Sequence, residues 1–122
     1  NTIHRHYLIR DGLRESLKAL DLNLLVTKDS YASPTVTSFI PHDKDELTYI
    51  KSTLKSRFNI TIAGGQGKLK GTILRIGHMG KVSPFDILSV VSALEIILTD
   101  YRKVNYIGKA TLKFTEVIQH DA

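Results

Sequence analysis

Apolar residues recur at helical spacing near the start of the chain, where Ile9, Leu13, Leu17 and Leu20 share one face and arginines and Lys18 take the others. This pattern predicts an amphipathic helix over roughly residues 3–20, slightly weakened by Gly12. Alternation over residues 22–26 predicts a short strand, and the polar stretch 28–34 a loop. Residues 35–40 are rich in β-branched and aromatic side chains and stop at Pro41, which predicts a second strand. Asp43 and Glu46 have the spacing of a capping box, and Leu47, Ile50, Leu54 and Phe58 then mark the buried stripe of a second helix. Residues 59–62 predict a third short strand, a glycine-rich loop follows, and residues 72–76 predict a fourth strand.

Ser83, Pro84 and Asp86 signal another helix start, with proline at the first helical position. Ile87, Val90, Val91, Leu94, Ile97, Leu98 and Tyr101 make the helix behind them the most apolar of the chain. Ile107, Phe114 and Ile118 place a last helix within residues 106–119. The order is helix, strand, strand, helix, strand, strand, helix, helix. It predicts one domain over residues 1–122, an α/β (α+β) two-layer sandwich in which a small, mainly antiparallel sheet carries helices on one face.

Composition narrows the function classes. The 122 residues suffice for one real core. The absence of cysteine removes disulfides and thiolate metal sites, and leans toward a reducing, cytoplasmic location. The longest apolar stretch, residues 87–98, is interrupted by Ser89, Ser92 and Glu95 and is too short to span a bilayer, so no membrane partner is expected. No signal-peptide pattern opens the chain. It begins Asn1, Thr2 without methionine, which reads as a processed product or a piece of something longer. The net charge of +5 raises the question of nucleic acid. The basic residues are scattered, however, which reads as a solvated surface.

The stretch ITIAGGQGKLKGTILRIGHMG, residues 60–80, concentrates the candidate chemistry. It lacks the Gly-Lys-Ser/Thr ending of a P-loop, and a strand follows where a phosphate site needs a helix N-terminus. Gly64, Gly65, Gln66 and Gly67 look like a KH-type clamp, which makes a single-stranded RNA-binding module using residues 64–71 the alternative function. The structural reading is that the glycines supply positive φ and close approach of the chain. His4 and His6 point to different helix faces, and His42, His78 and His120 are scattered. The acidic residues fall at helix starts and on polar faces. Neither a metal site nor a catalytic carboxylate pair is expected.

Arg75 stands apart, because it interrupts the apolar run Ile73, Leu74, Ile76. On a strand Ile73, Arg75 and Gly77 share one face, and Leu74 and Ile76 share the other. Gly77 and Gly80 leave room beside the guanidinium. Such a side chain suits bidentate grip of a carboxylate, and an ion pair with a nearby acidic residue is the other reading.

Ser33 to Thr37 (SPTVT), then Gly64 to Gly67 (GGQG), then Leu74 to Gly80 (LRIGHMG), in that order and spacing, resemble one known domain. It is the C-terminal small domain of class V pyridoxal-phosphate-dependent aminotransferases of the alanine–glyoxylate and serine–pyruvate type. The stretches LKALDLNLLV and PFDILSVVSALEIIL are also similar to it, and the resemblance covers roughly residues 4–102. It implies that Arg75 binds the α-carboxylate of a small amino acid or 2-oxo acid. It also implies that pyridoxal phosphate is held by a lysine and a phosphate grip in a large domain absent from this chain. None of Lys68, Lys70 or Lys81 sits in the family's cofactor-lysine motif. The expected whole is therefore a homodimeric aminotransferase. This chain alone would be inactive, with its own large domain as a partner and no cofactor-binding residue.

Overall fold

A computed structural model describes residues 2–29, 32–78 and 82–119. The chain runs α1 (Thr2–Ala19), β1 (Asn23–Leu24), β2 (Val36–Ile40), α2 (Lys44–Phe58), β3 (Ala63–Gly64), a 3-10 turn (Gly67–Leu69), β4 (Leu74–Gly77), α3 (Pro84–Arg102) and α4 (Lys109–Gln119). The strands form one antiparallel sheet of order β1-β2-β4-β3. The order of elements and the antiparallel sheet are those the apolar pattern predicts.

Strand pleating sorts the side chains. Thr37 and Phe39 of β2 face Ile76 and Leu74 of β4 on the buried side, together with Leu24 of β1. Against them pack Ile9, Leu13 and Leu17 of α1, Ile50 and Leu54 of α2, and Ile87, Val91, Leu94 and Leu98 of α3. The other sheet face carries Val36, Ser38 and Arg75, which are half-buried, and Gly77, which is exposed. One covered face and one open face place the site.

The helix ends explain where the expected boundaries shift. Asp43 accepts the Glu46 amide at 2.8 Å as N-cap of α2, but the Glu46 carboxylate accepts the His42 amide and not that of Asp43. The capping box is therefore half realised. At the other end Asn59 adopts φ +54°, and the Asn59 and Ile60 amides return to Lys55 and Leu54. This cap consumes the residues expected to open a strand, so β3 begins only at Ala63. In α3 the Ser83 and Asp86 box is complete, with Asp86 N to Ser83 Oγ at 3.3 Å and Ser83 N to Asp86 Oδ2 at 2.8 Å.

Helix α4 starts at Lys109, later than its apolar signal, and Ile107 is exposed in the turn before it. It lies along α1, where the Phe114 ring covers Gly12 so closely that a Cβ there would sit 2.9 Å from the ring. Glu95, a carboxylate buried in the apolar α3, caps this helix. It accepts the Gly108 amide at 3.1 Å, the Thr111 amide at 2.7 Å and the Thr111 hydroxyl at 3.1 Å.

Candidate functional site

Arg75 stands in the middle of β4 on the open sheet face, flanked by small side chains. Ser38 of β2 and Ala63 of β3 lie opposite it on either side, and Gly77 is the next residue on its face. Cross-strand partners stand about 5 Å apart at Cβ, so bulky residues there would have filled the space the guanidinium uses. Arg75 is half-buried, and its Nε donates to the Gly64 carbonyl at 2.8 Å. That bond fixes the near edge of the guanidinium. The two terminal nitrogens have no partner among the described residues.

Beside Arg75 lies a cavity of about 340 Å³, bounded by Ala63, Gly77, Val82 and Asp86 among others. Asp86 makes no ion pair with Arg75, and its carboxylate accepts the Ser83 amide. Among the described residues no acidic group pairs with Arg75. An anchored, half-desolvated guanidinium with two open nitrogens is a planar fork for a carboxylate.

The glycine loop joins β3 to β4 through one 3-10 turn and is not held between two helices, as a KH-type clamp would be. A Cβ on Gly65 would lie 2.3 Å from the Leu69 carbonyl oxygen, and Gly71 adopts φ +79°. Chain approach and backbone conformation account for these two glycines.

Among the described residues no group of three His, Cys, Asp or Glu side chains could hold a metal ion, although His6 lies near enough to His78 to act on its charge. His78 is fully buried on the inner face, where its Nε2 lies 2.8 Å from Thr37 Oγ1. Burial pushes its pKa down to about 4, so it is neutral near neutral pH. Gly80, Lys81 and His120 lie outside the described residues.

Two clusters escaped the sequence reading. Arg102 reaches both carboxylate oxygens of Glu46, the Leu20 carbonyl and the Tyr106 hydroxyl, and Tyr106 in turn donates to Asp21 at 3.1 Å. Burial pushes the Glu46 carboxyl up. The Arg102 and His42 hydrogen bonds and the Arg102 charge outweigh it and hold the pKa below the ordinary value. The second cluster is Glu95 at the α4 start. Its signal was a lone carboxylate among the apolar positions of α3.

The fit of these residues to pyridoxal phosphate is poor. That cofactor takes a lysine for its aldehyde and a partner for its ring nitrogen. Every described lysine is exposed to solvent.

No family model matches the chain. It is 45% identical to the small subunit of a soluble hydrogenase from Synechococcus sp., over 84% of this chain and 26% of that protein. It is 33% identical to an aminotransferase of Methanocaldococcus jannaschii, over 82% of this chain and 26% of the relative. Its fold superposes on the crystal structure of pyridoxamine–pyruvate aminotransferase from Mesorhizobium loti with a TM-score of 0.88 and 28% identity, covering 98% of this chain and 31% of that one. The chain thus spans between a quarter and a third of the length of the proteins it matches.

Proposed function

Since the chain belongs to the class V aminotransferases, where it corresponds to the C-terminal small domain, we propose that it binds the substrate carboxylate for a pyridoxal-phosphate-dependent aminotransferase. The whole enzyme would move an amino group between a small amino acid and a 2-oxo acid such as glyoxylate or pyruvate. The observation that carries this reading is Arg75, whose guanidinium is anchored on one edge by the Gly64 carbonyl and open on the other, with no acidic partner among the described residues.

Within that enzyme Arg75 would orient the acid so that its amino or carbonyl carbon faces the cofactor. The fork fixes rotation about the carboxylate as well as its position. Pyridoxal phosphate supplies the electron sink for the transfer and is held by the large domain. The isolated chain would not transaminate, because every lysine among the described residues is solvated. The same reading carries a homodimer in the cytoplasm. Among the described residues no helix is long and apolar enough to cross a membrane.

RNA binding gains no support from the loop, which lacks the two flanking helices of a clamp.

The test is steady-state kinetics of the full-length enzyme with Arg75→Ala. Loss of kcat/KM toward carboxylate-bearing substrates supports the reading, and unchanged kcat/KM sinks it.

A further inference from the structure

A cavity of about 730 Å³ lies between α2 and the glycine loop; Gly64, which anchors Arg75, lines it, but Arg75 does not. Lys44, Lys51 and Lys55 line it from α2, Lys70 lines it from the loop, and no carboxylate lines it. Elsewhere the described cations tend to be neutralised: Lys18 pairs with Glu15, Arg57 with Asp100, Arg14 with Asp29 and Arg102 with Glu46. In the groove Lys44, Lys51 and Lys70 have no carboxylate partner among the described residues, and Lys55 reaches only the Asn59 amide oxygen at 3.4 Å. Much of the chain's excess positive charge is thus collected in one concavity, where low-dielectric walls strengthen the field.

The arrangement works against the fold. Lys51 and Lys55 stand four residues apart on one helix, and like charges at that spacing destabilise it. The loop meanwhile lies against two of the groove lysines. A Cβ on Gly64 would lie 3.5 Å from Lys51 Nζ, and one on Gly71 would lie 3.6 Å from Lys44 Cε. At the helical rise, the α2 lysines are spread over about 16 Å, so the groove offers positive charge to several anionic groups and not to one ion alone. No aromatic side chain lines the groove on which a base could stack. Leu47 and Ile73 give it an apolar floor.

We propose that this groove binds a small polyphosphate, either free or carried on a nucleotide, through Lys44, Lys51, Lys55 and Lys70. Arg75 itself does not line the site, which does not depend on the aminotransferase reading.

The test titrates sodium tripolyphosphate into the full-length protein at constant ionic strength and reads the melting temperature and the heat of binding. Saturable binding that raises the melting temperature is expected. Lys44→Ala/Lys51→Ala should weaken it about tenfold or more, the scale of two lost ammonium contacts. The charge-preserving Lys44→Arg/Lys51→Arg pair should retain it and guards against misfolding of the alanine pair. Lys103→Ala/Lys109→Ala removes the same net charge away from the groove and should also retain it. ATP in place of tripolyphosphate separates the two sources. Tighter ATP binding identifies a nucleotide, and equal or weaker ATP binding identifies free polyphosphate. No saturable binding, an unchanged dissociation constant in the alanine pair, or an equal loss in the remote pair overturns the proposal. So does a single-stranded RNA that displaces tripolyphosphate and binds more tightly.

Discussion

Arg75 Nε donates to the Gly64 carbonyl across the β3–β4 pair, so the backbone of one strand holds a side chain of its neighbour in place. The bond leaves the outer edge of the guanidinium without a partner among the described residues. In the full-length enzyme, removing a bidentate charge-assisted contact should cost about 1.5–3 kcal/mol, or roughly a 10- to 150-fold loss of kcat/KM. Arg75→Lys should lose nearly as much as Arg75→Ala, because an ammonium does not reproduce the planar fork. The melting temperature should move by only a few degrees, since one hydrogen bond to Gly64 is all the fold loses. A large drop in melting temperature with normal kcat/KM would assign Arg75 to structure instead.

The Glu46–Arg102 pair joins α2 to α3 where both side chains are nearly enclosed. Arg102→Ala leaves a buried carboxylate uncompensated and should destabilise the protein by about 3–5 kcal/mol. Exchange of both residues for apolar side chains of similar size should cost much less. Chemical denaturation of the single and paired variants measures the difference, and equal losses would show that the pair acts by packing alone.

Titration should show two separate acid limbs. His78 has a folded pKa of about 4 against an ordinary value of 6.5, so the unfolded chain takes up its proton first. Its contribution to stability is intact above about pH 6.5, falls by about 1.4 kcal/mol per pH unit on descent toward pH 4, and falls no further below that. Glu46 is held below its ordinary value of 4.5, so its contribution is present above that value and is lost only as pH drops further, through the folded pKa. His78→Asn should flatten the limb between pH 6.5 and 4 and leave the lower one. Persistence of the upper limb in that variant would place its origin elsewhere.

Glu95 holds the start of α4 through three hydrogen bonds. Glu95→Ala should cost about 1–3 kcal/mol, because the Gly108 and Thr111 amides lose their acceptor. Hydrogen exchange should accelerate at those amides before it does in α2. Uniform acceleration across all helices would mean that α4 has no separate stability to lose.

The order of elements was legible in the sequence because burial stripes and caps are local properties. Ile9, Leu13 and Leu17 declare a helix face, and Ser83, Pro84 and Asp86 declare its start wherever they occur. Strand limits were less legible. Residues 59–62 look extended, but Asn59 is drawn into the left-handed cap of α2, a cost that only the preceding helix explains. The alternation around Arg75 gave its face correctly, whereas its anchor on Gly64 needed the register of β3. The Arg102 contacts were not legible, because Glu46 sits at the capping-box position and a local signal masked a partner from another helix. Glu95 was read as a break in an apolar run, and its role appears only once α4 is docked.

The Phe114 ring over Gly12 ties the first helix to the last. That contact closes a loop of nearly the entire chain, and loop closure must precede the burial that rewards it. During synthesis, α1 would leave the ribosome with part of its surface uncovered and keep it so until α4 emerged. The interval is one in which sticky surface is open to wrong partners. The domain would then form late and as a single event, its last helix acting as the closing step for its first.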